Sequence, residues 1–599
     1  MGLMQRAVET YDNLPGCVGK LSPGDKEPFA PVSHIVAEAK INITVDAGGQ
    51  FVSAEEINKK IIIPVTEKSA GRTSAVAAHG LCDQICYITP DDQKKYNEYL
   101  DQLREWCSSQ YSHPKAKAVL HYVEQGTVKQ DLEKTGLLKI KDGKVENTKD
   151  MVCWTVVGMG ESGGPVWTDQ SIMDSWTVFY INHTVQKNGS TICYVSGNRA
   201  ERATQHLKGV VASSGNAKLI SANDKTNFTY RGRFEQAEEA VSIGYQTSQK
   251  AHNALKWLVA NHGMKFENRT FICWNPNGIP VPSIKSPFFS GIEQDQALKP
   301  DAYEREISRK IEGYKVNLPN SEFVVIASFD AATSGRLSLS YYNELRGSDF
   351  LDRLEYWDTT CCWYDNEWGT QSPLLFNIVK FAYGTQRKDE ENARIEVDSR
   401  IVGPLMQQLL FSRIDKALFP VSIMMSIRHH ADNLQIYSSS NRRSLLFTAC
   451  AVIRKYRIDH YREVWKMALE PNRKDRSYQF GRLLAVLEKE EQDARREIGD
   501  SSSRETNAIR MQQVYVQRPG YALKIIMERV KTAYYPKLKE GSRGYYEKLI
   551  GEIMEQISQF PENEYDKKLS ETYLLGYYLQ KNELYRKKNE ESKMGEEEK

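Results

Sequence analysis

The sequence predicts an α+β protein: a mixed α/β N-terminal body with antiparallel sheet elements, followed by a C-terminal α-helical bundle. Three observations carry this reading. Short β-branched or alternating apolar runs are confined to residues 1–375. Apolar residues at helical spacing dominate residues 376–590. Residues 591–599 are polar almost throughout, so a disordered tail is expected there.

The elements follow in order. Residues 16–31 are rich in Gly, Pro and charge and read as loop. Residues 32–45 alternate loosely and 61–65 form a β-branched run, so both read as strands. Residues 90–110 carry a helical pattern, with Tyr96, Leu100, Leu103 and Cys107 on one face. Strands are expected over 152–157 and 192–195, with turns at Gly197-Asn198, Gly215-Asn216 and Asn223-Asp224. A helix is expected over 236–260 and a strand over 271–274, ended by Asn275-Pro276-Asn277-Gly278. A charged segment with one helix spans 285–320, and strands follow over 323–329 and 337–341. In the bundle, Phe480, Leu483, Leu484 and Leu487 complete an i, i+3, i+4, i+7 stripe, and Ala522, Ile525, Ile526 and Val530 form a second.

Composition narrows the function. The chain has 599 residues, 40% hydrophobic and 26% charged, enough to fill several cores. No run approaches the roughly 18 apolar residues of a membrane span, so no membrane partner is expected. The first residues lack the basic and apolar regions of a secretory signal. Ten cysteines are scattered without a CxxC pair, the pattern of buried thiols in a reducing, cytoplasmic setting. There is no GxxxxGK[ST] loop, Gly158-x-Gly160 lacks the third glycine of a dinucleotide fingerprint, and no Cys/His cluster has metal-ligand spacing. Neighbouring His429 and His430 on a helix point about 100° apart. Neither cofactor nor metal is expected.

Gly160-Glu161-Ser162-Gly163-Gly164-Pro165 resembles the nucleophile motif of trypsin-like serine proteases, with His79 upstream. A serine hydrolase or peptidase using Ser162 is therefore the alternative reading. The mechanism needs a histidine held by an acid. Here His79 precedes Ser162 by 83 residues, short for two packed barrels, and Glu161 stands where that family has Asp. A tight glycine turn after a strand accounts for the motif, no catalytic residue is assigned, and the chain is expected to act by binding rather than as an enzyme.

The net charge is only +2, so local distribution decides the partner. Residues 421–480 hold eleven basic residues against five acidic ones. Arg442, Arg443, Arg454, Lys455, Arg473 and Arg476 lie there, with Arg482 just beyond. Arginine-rich helices hold phosphates. The competing reading is a structural scaffold whose basic helices bind only protein. In the body, Phe228 to Phe234 with Arg231 and Arg233, and Lys20 with Arg72-Thr73-Ser74, are basic segments able to reach phosphates or base edges.

Several segments in order resemble the large subunit of the type I-C CRISPR Cascade surveillance complex. They are Arg72-Thr73-Ser74 with Asp83 and Tyr87, residues 215–223 (GNAKLISAN), and Phe228-Thr229-Tyr230-Arg231-Gly232. Residues 245–258 (YQTSQKAHNALKWL), Asn268-Arg269-Thr270, Trp274, and Ser334 to Ser338 with Trp357 continue the series. Residues 481–488 (GRLLAVLE) and Leu575-Gly576-Tyr577-Tyr578 with Gln580 complete it. Where the family commonly has Ser-Tyr-Gly, Arg231 intervenes before Gly232, and residues 503–519 match loosely.

The resemblance implies a non-catalytic subunit in bacterial or archaeal antiviral defence, cytoplasmic and RNA-guided. It would recognise the protospacer-adjacent motif in double-stranded DNA, help open the duplex and stabilise the R-loop. Its implied partners are the guide CRISPR RNA with its backbone subunits and 5′-handle-binding subunit, small subunits corresponding to its own C-terminal region, and target DNA. A helicase-nuclease would be recruited in trans. Lys20, Arg72, Ser74, Asn223, Arg269 and Trp274 are candidates for the duplex and adjacent motif, Trp274 as a wedge, and Arg231 and Arg233 for its phosphates. Arg442, Arg443, Arg454, Lys455, Arg473, Arg476 and Arg482 are candidates for the displaced strand. Met467 is the candidate internal translation start for a separate small subunit.

Overall fold

The computed structural model describes all residues except 74, 142–143, 222–232, 236, 290–296, 332–334, 388–393, 501–503 and 598–599, and the side chains of 144, 237–238 and 587–597. The architecture is α+β, with small, mainly antiparallel sheets in the N-terminal half and helices at the C-terminus. The chain forms two compact units. The first is Met1–Val281 with Glu322–Leu345, and the second is Pro282–Ser321 with Arg346–Lys599. The boundary expected at 375 thus falls inside the second unit, and the charged 285–320 segment belongs to the helical unit. A linear scan for a change of character misses chain that leaves one core and returns to it.

The first unit opens with α1 (Leu3–Asn13), which the sequence reading left unassigned. β1 (His34–Asp46) and β2 (Phe51–Pro64) form a long antiparallel hairpin. Alternation in β1 buries Ala39, Ile41, Ile43 and Val45. β3 (Asp83–Gln84) is followed by α2 (Gln93–Ser108) and α3 (Pro114–Glu124). Asp92 caps α2 through the Lys95 N–H, and Tyr96, Leu100, Leu103 and Cys107 are buried along it, as their spacing predicts. β4 (Met151–Val157) runs parallel to β1, and β5 (Gly164–Pro165) pairs with β4, completing a sheet of order β2-β1-β4-β3 with β5 on β4. Trp154 of β4 and Tyr99 of α2 both donate to the Leu81 carbonyl, at 3.0 and 2.6 Å, which ties helix to sheet. α4 (Gln170–His183) adds Trp176 to the same core.

α5 (Tyr245–His262) begins nine residues later than the 236 expected. Gly244 is extended (φ −63°, ψ 146°) and separates it from a one-turn helix, Ala237–Ala240. A second sheet follows: β6 (Met264–Phe266), β7 (Arg269–Trp274), β8 (Phe323–Asp330) and β9 (Ser338–Arg346), in that order. Its core is shared with α1 and α5. The strand expected at 192–195 is instead Ser190–Ile192, and the Asn223-Asp224 turn lies outside the described residues.

The second unit contains α6 (Pro300–Asn317), α7 (Gly347–Thr360), and the hairpin β10 (Trp363–Asp365) and β11 (Gly369–Gln371). Then come α8 (Leu375–Tyr383), α9 (Ser399–Ile414), α10 (Val421–Ala431), α11 (Ser439–Tyr461) and α12 (Arg476–Glu497). α13 (Asn507–Gln517), α14 (Pro519–Arg529), α15 (Glu540–Ser558) and α16 (Thr572–Glu597) complete it. α16 runs into the tail expected to be disordered, because residues 581–597 are mostly Lys, Glu, Arg, Leu and Met, all strong helix formers. α12 crosses α16 at two glycines. A Cβ at Gly481 would lie 1.9 Å from the Tyr573 carbonyl oxygen, and one at Gly576 would lie 2.1 Å from that of Tyr478. Only glycine permits this backbone approach.

Candidate nucleic-acid interface

In the first unit, a cavity of about 300 Å³ is lined by Lys208 and Lys256, with Glu27, Glu38 and Lys60 among its walls. Lys256 projects from α5, whereas Lys208 and Lys218 flank a loop pinned by the Gly209 N–H to the Ala217 carbonyl at 2.9 Å. Gly209 has φ +71°, and a Cβ there would approach the Gly215 carbonyl oxygen to 3.0 Å, so glycine closes the loop. Lys208 Nζ donates to the Arg72 carbonyl and to Asn216 Oδ1, both at 3.0 Å.

The acids at this cavity are already taken: Glu27 pairs with Lys60, and Glu38 with Lys40. Among the described residues, no carboxylate forms an ion pair with Lys208, Lys218 or Lys256. Burial pushes the Lys256 ammonium down to about 8, Lys208 adding to the shift and Glu27 opposing it. Lys208 is pushed down by burial and then by Arg72, and Lys218 by burial and then by Lys208. Below them His206 and His252 stack at 5.8 Å, lowered to about 3 and about 4 by burial, with cationic neighbours contributing. Asn253 Oδ1, at the cavity, and His252 Nε2 are buried without a hydrogen-bond partner among the described residues. Glu27 and Glu38 also line the cavity, but each is paired with another lysine, so Lys208 and Lys256 face it without an ion pair among the described residues.

The residues chosen from the sequence fall differently. Arg72 is not free to meet DNA. Its guanidinium clamps the fully buried Asp83 carboxylate, donates to the Ala77 carbonyl at 2.8 Å, and lies 4.3 Å from the Tyr87 ring centroid. Its carbonyl, however, holds Lys208. Lys20 is exposed at a separate hollow with Tyr11 and Gln170. Arg233 is exposed beside the Phe234 ring. Arg269 pairs with Asp330 at 3.2 Å. Trp274 is buried and donates to Thr10 Oγ at 2.9 Å, which anchors α1 to β7 and argues against a wedge. Ser74, Asn223 and Arg231 lie outside the described residues.

In the bundle, the seven cations expected to hold a strand are engaged in internal bonds. Arg454 is buried, donating to the carbonyls of Trp465, Thr359 and Thr360 at 2.9, 2.7 and 3.1 Å. Lys455 is 1% exposed, bonded to Asp459 at 2.8 Å and 4.0 Å from the Tyr356 ring centroid. Arg482 is buried between Gln580, Pro471 and Gln479. Arg442 binds Glu505 with two bonds of 2.6 Å, and Arg443 pairs with Asp365 and Glu367. Arg473 pairs with Glu470 at 2.7 Å over the Trp465 ring, and Arg476 donates to the carbonyls of Lys567 and Lys568. Met467 is buried against Cys362. Three of the seven are thus too deeply buried to meet a phosphate, because positive charge in sequence became internal pairing instead of a surface.

The exposed charge lies further along. Residues 504–548 hold ten basic residues against four acidic ones. Arg510, Lys524, Lys531, Lys539, Arg543 and Lys548 are exposed, and among the described residues none enters an ion pair. Exposed Tyr521 and Tyr545 lie among them. This surface and the lysine cavity were both missed. Lys208 and Lys256 are 48 positions apart, and only their folding together reveals them.

Ser162 is exposed in a 3₁₀ turn directly after β4, bounded by Gly158, Gly160 and Gly164 at positive φ. No hydrogen bond joins it to His79 among the described residues. His79 is buried and lowered to about 4 by burial. No group of three or more His, Cys, Asp or Glu side chains able to hold a metal occurs among the described residues. No helix among them is long and apolar enough to cross a membrane.

The first unit thus carries a cavity whose Lys208 and Lys256 enter no ion pair among the described residues, and the second an exposed basic face that bears Tyr521 and Tyr545. The chain belongs to the Cas_Csd1 family of CRISPR-associated proteins, whose model matches residues 8–585. No curated protein matches the chain.

Proposed function

We propose that the chain is the non-catalytic large subunit of a type I-C RNA-guided DNA surveillance complex. In this reading the first unit grips duplex phosphates beside the adjacent motif, while guide RNA pairing supplies sequence readout. The observation that carries the proposal is Lys208 and Lys256, half-buried in the wall of the cavity, with Lys218 at the other end of the loop from Lys208 and no carboxylate paired to any of the three among the described residues. Arg72 acts indirectly, by setting the loop that presents Lys208. The exposed face from Arg510 to Lys548 holds the displaced strand, with Tyr521 and Tyr545 available to unstacked bases. The helicase-nuclease that cuts is recruited in trans.

Co-expression with a CRISPR RNA and the backbone subunits tests this reading. A stable particle that retains the RNA and binds duplex DNA is expected. A chain that stays outside the particle under native, low-salt conditions would end the proposal.

A further inference from the structure

Within the second unit, two cavities of about 400 and 480 Å³ share Arg442, Glu488 and Gln492 in their walls and so form one trench. We propose that this trench takes a single unstacked nucleotide of the displaced strand, its base in the aromatic end and its phosphates at the arginine end. The inference rests on the reading that the bundle holds an unpaired strand, and it names what that strand inserts.

The aromatic end is built between the start of α11, the second half of α12, and α16. Leu446 and Ile509 supply apolar atoms, Tyr585 is the exposed ring of the wall with Tyr577 and Tyr578 buried behind it, and Asp365, Glu367 and Glu488 also line this end. Each tyrosine hydroxyl is tied down: Tyr577 to Glu488, Tyr578 to Asp365 at 2.7 Å, and Tyr585 to Gln492 at 2.7 Å. The exposed Tyr585 ring, held by its hydroxyl, offers a heterocycle a stacking surface whose ordering cost is already met. The volume falls in the range of ordinary small-ligand sites, roughly 300–1,000 Å³.

The other end is lined by Arg442, Arg495, Arg496 and Arg504 together with the carboxylates Glu488, Asp500 and Glu505. Arg442 is fixed by Glu505, and Arg495 by Glu491. Arg496 and Arg504 are exposed and enter no ion pair among the described residues, so they are the cations left for phosphate. A base at one end and phosphates at the other match the polarity of one nucleotide. An apolar ligand would leave these arginines unused, and a free anion would leave the tyrosine walls unused.

The test uses the full chain and a short single-stranded DNA carrying a terminal fluorescein and an internal 2-aminopurine, whose emission falls on stacking. The expected result is rising anisotropy together with quenched 2-aminopurine emission. Ser439→Trp, which fills the aromatic end, and Tyr585→Ala, which removes an exposed wall, should abolish the quench and weaken binding about ten-fold. Arg496→Gln with Arg504→Gln should weaken binding and keep the quench at saturation. Thermal melting checks each variant's fold, and the double arginine variant, altered only at exposed positions, serves if Ser439→Trp fails to fold. Rising anisotropy without quenching, or quenching that survives both aromatic-end variants, overturns the nucleotide site and leaves strand binding standing. No anisotropy change in the wild-type chain at low salt overturns strand binding and the site with it.

Discussion

Replacing Gly481 with alanine tests how the bundle is held together. The added Cβ would sit 1.9 Å from the Tyr573 carbonyl oxygen, 2.8 Å from its carbon and 2.9 Å from the Tyr577 nitrogen. Real Cβ atoms keep beyond 3.0 Å, so α12 and α16 must part by more than an ångström along a crossing that otherwise buries Phe480, Leu484, Tyr577 and Leu574. Alanine gains roughly 1 kcal/mol in helix propensity over glycine. Overpacking costs about 1–3 kcal/mol where a side chain can yield, and more where, as here, the obstacle is backbone. The net loss is about 2–3 kcal/mol. For a unit of this size each kcal/mol shifts the midpoint by about 2–4 °C, so the bundle's calorimetric transition should fall by roughly 4–12 °C. Amide exchange should quicken in α12 and α16 and stay unchanged in β1 and β4. A variant that melts at or above the wild-type temperature would refute the close crossing.

Three further outcomes follow from the buried charges. Anion binding favours the protonated form of Lys256, whose free value is about 8, so duplex affinity should be level below pH 8 and fall above it, with Lys256→Arg flattening the profile in a binding titration. Glu490 is fully buried, neither oxygen has a partner among the described residues, and burial with Glu547 raises it to about 8 from 4.5. Its raised value means the folded state keeps a proton the unfolded chain loses, so stability declines as pH rises from 4.5 to 8, and Glu490→Gln should raise the bundle's melting midpoint by an amount that grows across that window. Arg72→Met strands the buried Asp83 carboxylate and should cost about 3–5 kcal/mol in the first unit, read by denaturant unfolding.

Periodicity made much of the fold legible. The stripe in α2, the alternation in β1, and the Phe480 and Ala522 stripes of α12 and α14 all formed where spacing placed them. The helix at 236 failed because Ala237–Ala240 and α5 share one apolar pattern, which the non-helical residues 241–244, ending in the extended Gly244, interrupt. The candidate sites fared worse for a physical reason. Arg454, Lys455 and Arg482 show their charge in sequence, but whether an arginine meets solvent or a carbonyl depends on contacts such as Trp465 and Gln580 that no local window contains. Lys208, Lys218 and Lys256 share no motif, and that Glu27 and Glu38 are paired with other lysines is visible only in the fold. The Gly160–Pro165 turn was readable, since a run of glycines after a strand states its own geometry.

The central claim is that the lysine cavity holds duplex phosphates. Its most direct test is the salt dependence of duplex binding by the assembled particle, comparing wild type with Lys208→Gln, Lys218→Gln and Lys256→Gln combined. Each phosphate contact contributes about 0.9 to the slope of log affinity against log salt. The account predicts a slope shallower by about 2–3 and weaker binding at physiological salt, with guide RNA retained. An unchanged slope and affinity in a variant that melts as the wild type does would contradict it.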